Sequence, residues 1–288
     1  MKHSGRRVDV HVDLCLCGSG RLLRDCCLMV RRDTRPPGKP TGFSHPSCFA
    51  RELRDCDETI SREHYISESL LRLGGGNRVT AVGLPWIPPG GKATVSIASL
   101  TGKVLCKRHN EALSPLDAVA TQFFRFFTDE WTSEGVDLYL TSGHELERWL
   151  LKTLCGLVCS GNATLHGEKK THWTPPRPWL DILFGESKAE SPAGLHFIVA
   201  TTYQAQKGMA IVSPQFKEAT GQPVALAFAL SGIGFMFCME ELPPTRVPSK
   251  TGADTRYRPM GLQLRRGEAI REAHFGWPDG QFVSIRTH

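Results

Sequence analysis

Apolar positions change period along the chain. Leu116, Val119, Ala120, Phe123, Phe124 and Phe127 recur at helical spacing. Ser114-Pro115-Leu116-Asp117 ahead of them reads as a capping box with proline at the first helical position. Ser142-Gly143-His144-Glu145 repeats the device before Leu146, Trp149, Leu150, Leu154, Leu157 and Val158, and Gly161 ends that helix. From about Leu195 the pattern turns to strands, expected at 196–201, 209–213, 224–230, 235–239, 257–264 and 282–286. Residues 174–194 read as a long irregular connection. The longest apolar stretch, 224–239, falls short of the ~18–20 residues that cross a bilayer. Ser231-Gly232-Ile233-Gly234 interrupts it, so it reads as two strands joined by a turn. No apolar run follows the basic start of the chain, and a cytoplasmic protein without membrane contact is expected.

Cysteine is the informative part of the composition. The chain has 288 residues, 10 of them cysteine, with a formal net charge of +6. Seven cysteines lie at or before Cys106, whereas Cys155, Cys159 and Cys238 sit in apolar patterns that suit core packing. In a reducing compartment clustered cysteines favour metal over disulfides. The organisation expected is a cysteine motif at 1–30, a Pro-rich linker at 31–46, a second cysteine-bearing unit at 47–130 and a C-terminal domain at 131–288. The class is α+β, with a mostly antiparallel sheet in the C-terminal part.

Cys15, Cys17, Cys26 and Cys27 have the spacing C-x-C-x8-C-C around a Gly-Ser-Gly turn. Four thiolates so placed can enclose one Zn2+ ion, and so short a segment would draw its folding energy from the metal. This run resembles the SEC-C motif, with Leu16 where that motif usually has proline. The resemblance implies zinc and an accessory docking or nucleic-acid-contacting role.

The second cluster is spread over a longer stretch. Cys106-x2-His109 is a ligand-pair spacing, and Cys48 and Cys56 are its natural other half. A Cys3His centre would hold the segment Ser61–Leu73 against the start of the following helix and bring His64 towards Asn110. A neutral imidazole beside a metal-binding amide suits phosphodiester hydrolysis.

Residues 48–117 are similar to the HNH nuclease family, with its treble-clef, ββα-metal fold. By that resemblance His64 is the general base, Glu63 takes the acidic place before it, and Asn110 is a ligand to a catalytic Mg2+ or Mn2+ ion. Asn77, after the glycine run, would orient the base. The sequence departs from the family in its wide first cysteine pair and in His109 as the fourth ligand. It also carries an extra segment at 79–100, expected to be a β-hairpin around Pro88-Pro89-Gly90-Gly91. His45 is a possible replacement for one cysteine.

The function expected is a metal-dependent nuclease with about two structural zinc sites, acting on nucleic acid, DNA first. Arg21, Arg24, Arg31, Arg32, Arg35 and Lys39, with Arg51, Arg54, Arg62, Arg72, Lys107 and Arg108, offer positive charge for phosphates. The alternative is a non-catalytic zinc-stabilised module that binds nucleic acid or, through the SEC-C-like motif or the C-terminal domain, a protein partner.

Overall fold

Strand β1 (Ile60–His64) leads through a short helix α1 (Glu68–Leu71) to the hairpin β2 (Arg78–Val82) and β3 (Lys92–Ser96). The chain then returns as β4 (Thr101–Cys106) and passes without a break into α2 (Lys107–Thr128). Strands β1 and β4 pair antiparallel, Ile60 against Cys106 and His64 against Thr101. Residues 60–128 are therefore a strand pair followed by a helix, with a hairpin inserted between the strands as the sequence suggests. The computed structural model describes residues 13–15, 20–22, 25–26, 32–74, 76–82, 86–88, 91–131, 135–165, 168–169, 173–199, 210–240 and 254–277.

Helix α2 begins seven residues before the expected capping box. Its first turn follows Cys106 directly, and Pro115 lies in its interior. Proline at 115 cannot donate to the Glu111 carbonyl. The Ser114 hydroxyl donates to it instead, at 2.8 Å. The serine that looked like a helix start thus repairs the proline defect.

Strand β5 (Gly135–Ser142) leads into α3 (Gly143–Cys159), as expected for the second helix. A two-residue pair, β6 (Thr164–Leu165) and β7 (Glu168–Lys169), and helix α4 (Arg177–Leu183) follow, the last within the stretch expected to be irregular. Then come β8 (Gly194–Val199), β9 (Ala210–Phe216), β10 (Pro223–Leu230), β11 (Ile233–Cys238), β12 (Asp254–Tyr257), β13 (Gly261–Arg266) and β14 (Ala269–Gly276). Five strands form a sheet in the order β12-β8-β11-β10-β9, antiparallel at every pair. The β10–β11 hairpin turns on Ser231 and Gly232, both at positive φ (50° and 88°), as a two-residue turn of this hand requires. A second sheet, β13-β14-β5, pairs β14 with β5 in parallel, although the two are far apart in sequence. The strand expected at 282–286 lies outside the described residues.

Helix α3 runs through the middle of the molecule. Every residue from Gly143 to Val158 except His144 is buried. One buried apolar cluster extends from Cys48 to Trp277 and includes Leu105, Phe123, Phe124, Trp149, Leu154, Phe228 and Phe235. Cys155 packs in it, fully buried. A helix enclosed on all sides must pair its charges internally. Arg148 bonds Glu145 at 2.8 Å, the Leu183 and Arg32 carbonyls and the Thr34 hydroxyl. Arg258, fully buried, bonds both oxygens of Glu147 at 2.8 and 3.1 Å. Thr34 is itself buried and donates to Leu183. This part of the expected linker is therefore packed against α3 and α4.

Candidate metal centre and adjoining cleft

Cys48 and Cys56 are brought together by a single tight turn. A short 3-10 helix at Arg51–Leu53 ends on Arg54 at φ 55°, a left-handed residue that reverses the chain. The Phe49 amide donates to the Val104 carbonyl at 2.9 Å and so ties the turn to β4. Cys106 is the last residue of β4, and His109 lies in the first turn of α2. The Cys48, Cys56 and Cys106 sulfurs lie 3.5, 3.8 and 3.1 Å from His109 Nδ1. All four donor atoms fall within 4.8 Å of one another, and all four residues are buried.

A tetrahedral ion with bonds of about 2.0–2.3 Å places its donors roughly 3.5–3.8 Å apart. The arrangement fits, and this cluster can hold a metal ion. The expected ligands Cys48, Cys56, Cys106 and His109 do converge, and the His45 ring instead accepts the Ser47 amide at 3.1 Å. Cys106 is held down to about 3, chiefly by its hydrogen bond with Cys48, and Cys48 is pushed up by the same contact and by burial. His109 Nε2 is buried without a hydrogen-bond partner among the described residues, and its ring meets Phe184 edge-on.

The first cysteine run is only partly described. Cys15 is buried, its amide donating to the Arg21 carbonyl at 2.7 Å, and Leu14 bridges Leu22. Cys26 is half-buried. Cys17 and Cys27 lie outside the described residues.

His64 ends β1 at the wall of a cleft of about 370 Å³, lined also by Glu63, Ser67, Glu68, Arg72 and Asp117. The β1–β4 register shifts between Ser61 and Glu63, and both Glu63 and His64 line the cleft. His64 Nδ1 lies 3.7 Å from Glu68, and burial lowers the imidazole pKa. Its Nε2 is buried and without a hydrogen-bond partner among the described residues. Asn77 stands one link away: its carbonyl accepts the Ile97 amide at 3.0 Å, and its side chain accepts Arg72, which also bonds Glu68 at 2.5 Å. Asn110, on the first turn of α2, lies beside Glu63. Of the four expected catalytic residues, Glu63 and His64 line the cleft, whereas Asn77 reaches it only through Arg72 and Asn110 only through Glu63.

One residue there has no counterpart in the sequence reading. Lys152, on α3, places Nζ 2.7 Å from Glu63 and 2.6 Å from Asp117. The signal available for it was a lysine in an otherwise apolar helical stretch. Among the described residues, the only group of three or more His, Cys, Asp or Glu donors close enough to share an ion is the Cys3His cluster.

Several basic residues nominated for phosphate contact have local partners. Arg108 pairs with Asp55 at 2.9 Å, Arg51 with the Pro46 carbonyl and Arg62 with Thr101. Trp173 and Trp277 act as packing anchors, bonding Gln222 and the Pro259 carbonyl. Among the described residues no helix is long and apolar enough to cross a membrane. Comparison with protein-family models, with curated proteins and with solved structures finds no match for this chain.

Proposed function

We propose that the chain is a zinc-stabilised protein of the HNH-nuclease type whose cleft beside His64 hydrolyses phosphodiester bonds of nucleic acid, with DNA the first substrate to test. One observation carries the reading. Glu63 and His64 line one cleft, Asn77 is bonded to the cleft residue Arg72, Asn110 lies beside Glu63, and a Cys3His cluster joins β4 to α2. Three thiolates and an imidazole in tetrahedral array suit zinc. Four buried protein donors leave no open position, so the zinc is structural and its binding supports folding.

In the cleft, burial keeps the His64 imidazole neutral near pH 7, the form that accepts a proton from water. Glu68 beside Nδ1 stabilises the imidazolium that results. Arg72, half exposed at the rim, is the positive charge an incoming phosphate meets.

Nicking of supercoiled plasmid by wild type and by His64→Ala, with Mg2+, with Mn2+ and with neither, tests this. Nicking that falls by ~100-fold or more in the variant is expected for loss of a general base. No nicking by wild type, or equal nicking by both, overturns it. A second reading, a non-catalytic zinc-stabilised binding module, is favoured by one specific feature: Glu63 and Asp117 are already ion-paired within the protein.

A further inference from the structure

The Glu63–Asp117 pair is where the cleft comes nearest to a cation site. The two carboxylates arrive from different elements, β1 and α2. Asp117 also accepts the Ser67 hydroxyl at 2.5 Å, and Trp149 donates to that hydroxyl at 2.8 Å. Asn110 lies beside Glu63. Between the two carboxylates stands a charged group that is almost wholly enclosed: the Lys152 side chain is 5% exposed.

We propose that Lys152 is the resident cation of this cleft: its ammonium occupies the place between Glu63 and Asp117 that an ion of the Mg2+ class would take, so the cleft carries its positive charge covalently and takes up no divalent metal. Two carboxylates close on one point attract either an ammonium or a divalent ion. Mg2+ needs about six oxygen ligands at 2.0–2.1 Å and usually retains several waters. Here the carboxylates sit at hydrogen-bonding distance from nitrogen, and Asp117 also accepts the Ser67 hydroxyl. A metal ion would first have to expel a buried ammonium, leaving it without its counter-charges. Burial alone would lower the lysine pKa; the carboxylates of Asp117 and Glu63 outweigh that and raise it, so the group stays charged.

This inference rests on the reading of the cleft given above, but it concerns metal uptake, which is measured separately from cleavage. The experiment is Mn2+ titration of the zinc-loaded full chain, followed by electron paramagnetic resonance, for wild type, Glu63→Gln, Lys152→Gln and the double variant. Zinc content and circular dichroism establish that each is folded. The expected result is identical Mn2+ binding by wild type and Glu63→Gln, and one additional bound Mn2+ in Lys152→Gln that disappears in the double variant. One Mn2+ bound by wild type and lost in Glu63→Gln would overturn the proposal, as would a folded Lys152→Gln that gains none. If Lys152→Gln fails to fold, the comparison of wild type with Glu63→Gln still decides. Plasmid nicking is scored on the same samples. Its absence overturns the nuclease reading while leaving the metal result intact.

Discussion

Cys48 Sγ and His109 Nδ1 lie 3.5 Å apart, although β1, α1, the β2–β3 hairpin and β4 all intervene between them in sequence. The contact joins the turn that precedes β1 to the first turn of α2. A bound ion there would therefore fasten three elements at once, and removing a ligand should be felt well beyond the ligand itself.

Cys106→Ser should lower bound metal by about one equivalent and the melting temperature by about 10 °C or more, since structural metal binding is itself folding free energy. Cys155→Ala, also buried but outside the cluster, should leave the metal content unchanged. Elemental analysis with thermal melts compares them. Unchanged metal in Cys106→Ser would remove the centre.

The His64 imidazole is depressed below its ordinary value of 6.5, mainly by burial. The unfolded chain then binds the extra proton first, so stability rises with pH through this window. The contribution is complete above about 6.5 and is lost as pH falls through the folded value. His64→Gln should flatten the pH dependence of the urea midpoint between pH 7.5 and 5, relative to wild type. Parallel curves for the two proteins would show that His64 is not the buried neutral group described.

Lys152→Met strands two carboxylates in a largely buried site and should cost about 3–5 kcal/mol at neutral pH. Adding Glu63→Gln should recover part of that loss, because one of the two stranded charges is removed. Burial already raises the Glu63 pKa against the pull of Lys152, so with the lysine gone Glu63 protonates sooner and the single variant recovers stability as pH falls. A denaturant-based double-mutant cycle measures the coupling, and additive effects would contradict it.

Arg258 is fully buried, paired with Glu147, bonded to the Ala189 carbonyl at 2.8 Å and flanked by the Tyr257 and Trp277 rings at 5.3 and 5.1 Å. Arg258→Met should cost about 3–5 kcal/mol, because Glu147 loses its buried counter-charge. Tryptophan fluorescence should shift as Trp277 loses its cation. A change within ±0.5 kcal/mol would mean the pair is dispensable.

The metal ligands were legible because ligation selects residue type and local spacing together: Cys106-x2-His109 fits one strand end and one helical turn. The hairpin after the glycine run and the β10–β11 turn were legible for the same local reason. Lys152 was not, because α3 is enclosed on every side and its charges are satisfied by residues distant in sequence. Strand β5 was missed because its pairing among the described residues is with β14, far away in sequence. The early start of α2 was masked by Ser114, whose hydroxyl suggested a cap and in fact replaces the amide that Pro115 lacks.

The parallel seam between β5 and β14 has a topological consequence. It runs from Ala269–Gly135 to Gly276–Ser142 and ends where Trp277 lies over Gly143, whose added methyl group would meet the indole ring at 2.3 Å. The last described strand is thereby stitched beside the stem of the central helix, like a clasp closing a loop. Severing the backbone in the intervening sequence should leave two fragments that still co-purify, whereas deleting the clasp should unfasten the helix that supplies Lys152.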